Sequence, residues 1–153
     1  MNLLDRMDGD TTVERALSYL SERINDAPVV SSWDALLAYL TLKTATERVE
    51  VFRVLFLDRK NRLIEDREMG RGTVDHCPAY VREIARAALD LDASAVILTH
   101  NHPSGDPAPS QADIIVTQRV VAALALFEIV THDHVITGGT KTHSMKSNGE
   151  LDA

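Results

Sequence analysis

The sequence predicts an α/β sandwich, one domain with helices packed on a mixed sheet, and three observations point to it. The chain has 153 residues, 44% of them hydrophobic and 25% charged, which suits one globular domain with a real core. Apolar runs rich in β-branched and aromatic residues alternate with helical periodicity, but without the strict βαβ repeat of an all-parallel sheet. The run Ala93 to Leu98 is nearly all apolar, as expected of a central strand covered on both faces.

Taken in order, Thr11-Thr12-Val13-Glu14 can form a capping box, which predicts a helix over about residues 12–24 carrying Ala16, Leu17 and Leu20. Pro28 interrupts. Ser31 and Ser32 can cap a second helix with Leu36, Leu37 and Leu40. This N-terminal part, residues 1–30, reads as a helical segment that packs on the core or serves as a partner-binding arm, and 31–153 as the main domain.

Val49 to Leu57 has strand composition, Asp58 to Asn61 reads as a turn, and Arg62 to Glu68 as the next strand. Gly70 and Gly72 break the pattern. Pro78 introduces a helix over about 79–91, with Val81, Ile84, Ala85 and Ala88 on one side. A strand follows over 93–99, a helix from Ser110 to about Phe127, a strand from Glu128 to Thr137, a Gly138-Gly139 turn and a last short strand from Lys141 to Lys146.

The chemistry concentrates in ILTHNHPSGDPAPSQAD. Side chains alternate along a strand, so His100 and His102 project from one face and Asn101 from the other. Pro103 helps to end the strand, and Pro107 and Pro109 stiffen the path to Ser110. Asp113 lies one turn into the following helix and can swing back to the imidazoles. Two imidazoles and one carboxylate leave a fourth position for water, the composition of a catalytic zinc site. Asp106 is a weaker rival to Asp113, and both it and Asn101 read as loop formers. Ser110 with Asp113 also has the pattern of a plain helix cap.

The spacing matches the JAMM metalloprotease motif, H-x-H, seven residues, then S-x-x-D, and HNHPSGDP-x-PS-x-x-D resembles the RadC-like branch of the JAB/MPN superfamily. Further segments resemble the same family: Glu50 to Asp58, Gly72-Thr73-Val74-Asp75, Arg82-Glu83-Ile84 and Asp133-His134, which together span about 31–153. The resemblance implies a cytidine-deaminase-like mixed-sheet sandwich. It also implies a zinc hydrolase of peptide or isopeptide bonds, with attack by a zinc-activated water.

In that pattern His100, His102 and Asp113 hold Zn2+ and the Ser110 hydroxyl faces the site to stabilise an oxyanion. Glu50 takes the place of the general base, with Glu47 as fallback. Two departures are visible. Val81 stands where RadC-like chains usually carry proline, and residues 1–30 leave no room for the helix-hairpin-helix region often found ahead of the domain, which puts any DNA contact made by it in doubt.

His132-Asp133-His134 is a second H-x-H with no S-x-x-D after it. A supporting role behind the metal ligands suits it better than ligation. His76 and His143 read as surface residues. Cys77, the only cysteine, permits no internal disulfide and suits a reducing compartment. There is no secretory signal pattern and no apolar run of membrane-spanning length, so a cytoplasmic protein with a peptide or protein substrate and no membrane is expected. The net charge of −7 does not support nucleic acid as a partner, and Arg59, Lys60, Arg62, Arg67 and Arg71 read as a solvated hairpin surface. A repair-associated nucleic-acid factor and a zinc-stabilised interaction module without catalysis are the alternatives. Zinc deamination is disfavoured because no Pro-Cys-x-x-Cys half-site is present.

Overall fold

The computed structural model describes residues 3–72 and 79–151. Thr73, Val74, Asp75, His76, Cys77 and Pro78 lie outside the described residues, so the readings made on them stay as sequence readings. In chain order come helix α1 (Leu3–Asn25), a 3-10 turn (Val29–Ser32), α2 (Trp33–Thr44), β1 (Val51–Leu57), β2 (Leu63–Arg71), α3 (Val81–Asp90), β3 (Ala95–Asn101), α4 (Gln111–Ala125), β4 (Val130–Gly138) and β5 (Lys141–Ser144).

One five-stranded sheet runs in the order β2-β1-β3-β4-β5. Only the β3–β4 pair is parallel; β1 lies antiparallel to both β2 and β3, and β5 antiparallel to β4. Helix α4 supplies the crossover that a parallel pair requires. Every residue of the central strand β3 is buried, as its apolar sequence requires. Phe52, Val54, Phe56, Val96 and Leu98 face Ile84, Ala88, Val120 and Leu124 of α3 and α4. Leu55, Leu57, Ile97 and Val135 face Leu36, Leu40 and Ile24 of α2 and α1 on the opposite side. The edge strand β2 has no fully buried residue and carries charged residues, which discourage pairing with another chain.

Two N-terminal expectations are corrected. Thr11 and Thr12 sit inside α1, which starts earlier than a cap at Thr11 would place it. Ser31 and Ser32 make no cap on α2; their hydroxyls donate back to the Pro28 carbonyl, at 2.7 and 3.5 Å, because a 3-10 turn intervenes and presents that carbonyl to both. Leu17, Leu20 and Ile24 of α1 pack into the second core cluster.

The turn at 58–62 is built as its residues suggest. The Asp58 carboxylate accepts the Lys60 and Arg62 amides, and Asn61 takes the left-handed conformation at φ 58°. Three members of the basic cluster are paired in place: Arg62 with Asp58, Arg67 with Glu65, and Arg71 with both Glu47 and Glu68. Among the described residues no helix is long and apolar enough to cross a membrane.

Candidate metal centre

The centre forms where β3 ends. His100 is the penultimate residue of the strand and His102 follows it directly, so both rings leave the sheet on the α4 side. Helix α4 starts beside them. Ser110 is its N-cap and accepts the Asp113 amide at 3.1 Å, while the Asp113 carboxylate accepts the Ser110 amide at 2.8 Å. This complete capping box fixes the Asp113 side chain at the first turn. Its other contacts are His102 Nε2 at 3.2 Å and His100 Nε2 at 3.3 Å, and the two Nε2 atoms are 2.9 Å apart. Among the described residues His100, His102 and Asp113 form a group able to hold a metal ion.

The donor set fits such an ion. Donors about 2.0–2.1 Å from one tetrahedral zinc lie roughly 3.3 Å from each other, close to the spacings found. His102 Nδ1 lies 2.8 Å from the Asp106 carbonyl, which can only accept, so Nδ1 carries the hydrogen and Nε2 turns to the cluster. The electrostatics agree. Burial pushes the Asp113 carboxyl up, but the adjoining His100 and His102 rings and the Ser110 amide outweigh it and hold it well below the usual carboxylate range. The bond to Asp113 raises the His102 imidazole above its ordinary value against the effect of burial, with the Asp106 carbonyl and the Glu50 charge helping. The centre therefore favours a positive charge, either a proton on His102 or a metal cation.

Glu50 arrives from β1. The antiparallel register sets Phe52 against His100, and two residues further on Glu50 comes opposite His102, with Oε1 3.8 Å from Nε2. Glu50 is buried to 8% exposure, an unusual place for a carboxylate without a task. Glu47, the fallback, is committed to Arg71 through contacts of 2.8 and 3.1 Å. Asn101 is no loop former. It is buried, accepts the Val51 amide at 2.8 Å and donates to the Val49 carbonyl at 2.9 Å, bracketing Glu50 on both sides. The Asp106 carboxylate makes a local turn with the Ala108 amide at 3.0 Å and stays out of the cluster; its contribution is the carbonyl under His102.

Behind the ligands, His100 Nδ1 meets His134 Nε2 at 2.8 Å, and His134 Nδ1 meets Thr117 Oγ1 at 2.6 Å. Phe52 stacks on His100 with centroids 6.0 Å apart and planes 14° apart, and meets His134 edge-on. Asp133 binds the Ser144 hydroxyl and the Lys146 amide, tying the C-terminal turn to β4. His132 turns away to Asn61, and His143 is half-buried against Glu150 rather than free on the surface. Sequence reasoning missed Thr117 and undervalued Asn101. Thr117 lies four residues after Asp113 and hence on the same helix face. Asn101 is a polar side chain on the second face of a doubly covered strand, where it must find partners.

The Pro-rich loop is held by close approach. A Cβ on Gly138 would come within 2.7 Å of Pro107 N and 2.8 Å of the Gly105 carbonyl, so only glycine lets β4 lie against this loop.

The family model of the RadC-like JAB domain matches residues 30–150. A UPF0758 protein of Rhodobacter capsulatus is 52% identical over 140 residues, covering 91% of this chain and 65% of its own length. A UPF0758 protein of Ruegeria pomeroyi is 52% identical over 129 residues, covering 84% of this chain and 58% of its own length. The chain thus spans about three fifths of the length of these curated relatives.

Proposed function

The chain belongs to the RadC-like JAB domain family, and from that membership we propose that it is a zinc-dependent hydrolase of peptide or isopeptide bonds. The observation that supports this most is the convergence of His100, His102 and Asp113 with the buried Glu50 carboxylate 3.8 Å from His102 Nε2. His100 Nε2, His102 Nε2 and the Asp113 carboxylate would hold the metal. Three protein donors, rather than four, are the composition of a catalytic zinc site. When bound, the metal supplies acidification of water and polarisation of a carbonyl.

The remaining work falls to the chain itself. Glu50 accepts the proton of the attacking water at its carboxylate and returns it to the leaving nitrogen. The capping bond of Ser110 uses an oxygen lone pair, so its O–H remains free to donate to an oxyanion on the exposed side. Phe52 keeps one side of His100 dry. The net charge of −7 supports a polypeptide over a polyanion as substrate.

The test uses zinc-loaded protein and a library of proteome-derived peptides read by mass spectrometry. Glu50→Gln should retain zinc and lose about 10²–10⁴-fold in cleavage rate. Cleavage that persists after the metal is stripped would rule the reading out.

A further inference from the structure

We propose that His134, anchored by Thr117, is a positioning residue that sets the ring tautomer and orientation of His100, so that Nε2 of His100 faces the cation without a hydrogen. This assignment rests on the reading of His100, His102 and Asp113 as metal ligands. It follows from counting hydrogens along one chain of contacts.

The Asp113 main-chain carbonyl can only accept. Thr117 Oγ1 lies 2.6 Å from it, so the single hydroxyl hydrogen points there, and Met145 Sδ at 3.6 Å is a weak competitor. With that hydrogen spent, Thr117 Oγ1 can only accept from His134 Nδ1, 2.6 Å away. Were Thr117 to donate to His134 instead, two oxygen lone pairs would face each other at 2.6 Å. His134 Nδ1 therefore carries a hydrogen.

The ring is 0% exposed, and its two ring nitrogens meet an imidazole and a hydroxyl rather than a carboxylate, so a second proton on it is disfavoured. Its Nε2 is then bare and accepts from His100 Nδ1 at 2.8 Å. A neutral His100 with its hydrogen on Nδ1 presents a bare Nε2 to His102 and Asp113.

The chain of bonds leaves one proposed ligand on β3, crosses His134 on β4, and ends on the main chain of another ligand on α4. It adds a polar tie between the sheet and α4, which also pack through Val96, Leu98, Val120 and Leu124. Of the neutral side chains, imidazole suits this place because it offers a donor and an acceptor on opposite edges of one rigid ring. The register agrees, since His134 pairs with Leu98, which puts its ring on the same sheet face as His100. On the other side of the centre the Asp106 carbonyl does for His102 what His134 does for His100.

The experiment starts from the full chain, metal-free and labelled with 15N-histidine. Long-range 1H–15N spectra should show His134 and His100 both protonated on Nδ1. A His100 protonated on Nε2 overturns the proposal. Zinc affinity is then measured by chelator competition. His134→Phe, with an unchanged circular dichroism spectrum, should bind zinc about 10–100-fold more weakly, and His134→Gln, whose amide oxygen can accept from His100, should recover most of the loss. Affinity within about twofold of wild type in folded His134→Phe also overturns it. Should His134→Phe fail to fold, Thr117→Val takes its place and should shift the His134 tautomer and weaken zinc binding; an unmoved tautomer counts against the proposal. If the wild type takes up no zinc, the ligand reading fails, while the metal-free spectrum still decides the tautomer of His100.

Discussion

The sheet carries the same H-x-H pattern twice, on two adjacent parallel strands, and only one of the two makes a centre. In His100-Asn101-His102 the alternation runs unbroken to the end of β3, and both rings meet Asp113 of the capped helix α4. In His132-Asp133-His134 the pairing slips between Thr131 and Asp133, so His132 is the extra residue of a β-bulge. The bulge takes His132 out of the alternation and sends it to Asn61 at 2.7 Å, while His134 remains in register behind His100. Two imidazoles two residues apart are thus not a metal pair by spacing alone. What decides is an unbroken strand end, a helix cap that brings a carboxylate, and a neighbouring strand that supplies support.

Substitutions can break or sharpen this contrast. The largest effect is expected from His102→Ala, which should weaken zinc binding well beyond the about 10–100-fold typical of a supporting residue, whereas His132→Ala should leave it nearly unchanged. Equal losses in the two, measured by chelator competition, would erase the distinction between the pairs. Next comes Gly138→Ala, which forces backbone against backbone in the loop beneath His102. It should cost about 1–3 kcal/mol in urea unfolding and loosen zinc as the Asp106 carbonyl shifts. Asn101→Ala strips partners from the Val51 amide and the Val49 carbonyl. A loss of about 1–3 kcal/mol is expected, together with lower turnover as Glu50 loses its bracket.

The smallest effect concerns His132, which burial, and then Lys146, holds below its ordinary value of 6.5. The unfolded chain therefore binds a proton there before the folded one does. The stability due to the neutral ring is lost as pH falls from about 6.5 toward the lowered folded value. His132→Gln should flatten that acid limb in a series of urea melts without moving the zinc affinity. An unchanged limb would mean that His132 is not held neutral by the fold.

Much of this was legible before any coordinates. His100, His102 and Asp113 were readable because the period of a strand and the cap of a helix are local rules, and both held. The strand elements were readable from apolar and β-branched runs, down to the fully covered β3. What stayed hidden was whatever depends on pairing between distant segments. The adjacency of Glu50 to His102 is a matter of β1–β3 register. The bulge at His132 depends on how β4 slides along β3. Ser110 shows a subtler limit: its pattern fits a cap and an active-site hydroxyl alike, and the capping geometry leaves its O–H uncommitted. At the N-terminus the local cap signals of Thr11 and Ser32 were overridden, in one place by a longer helix and in the other by the 3-10 turn.

The central claim is that a single cation is held by the first pair and not by the second. X-ray absorption at the zinc edge on the loaded wild-type protein, repeated on Asp113→Asn and His132→Ala, tests it most directly. The expected wild-type spectrum shows two imidazole nitrogens with oxygen completing the shell; it should be altered or lost in Asp113→Asn and preserved in His132→Ala. A zinc environment indifferent to Asp113 but disturbed by His132 would contradict the account.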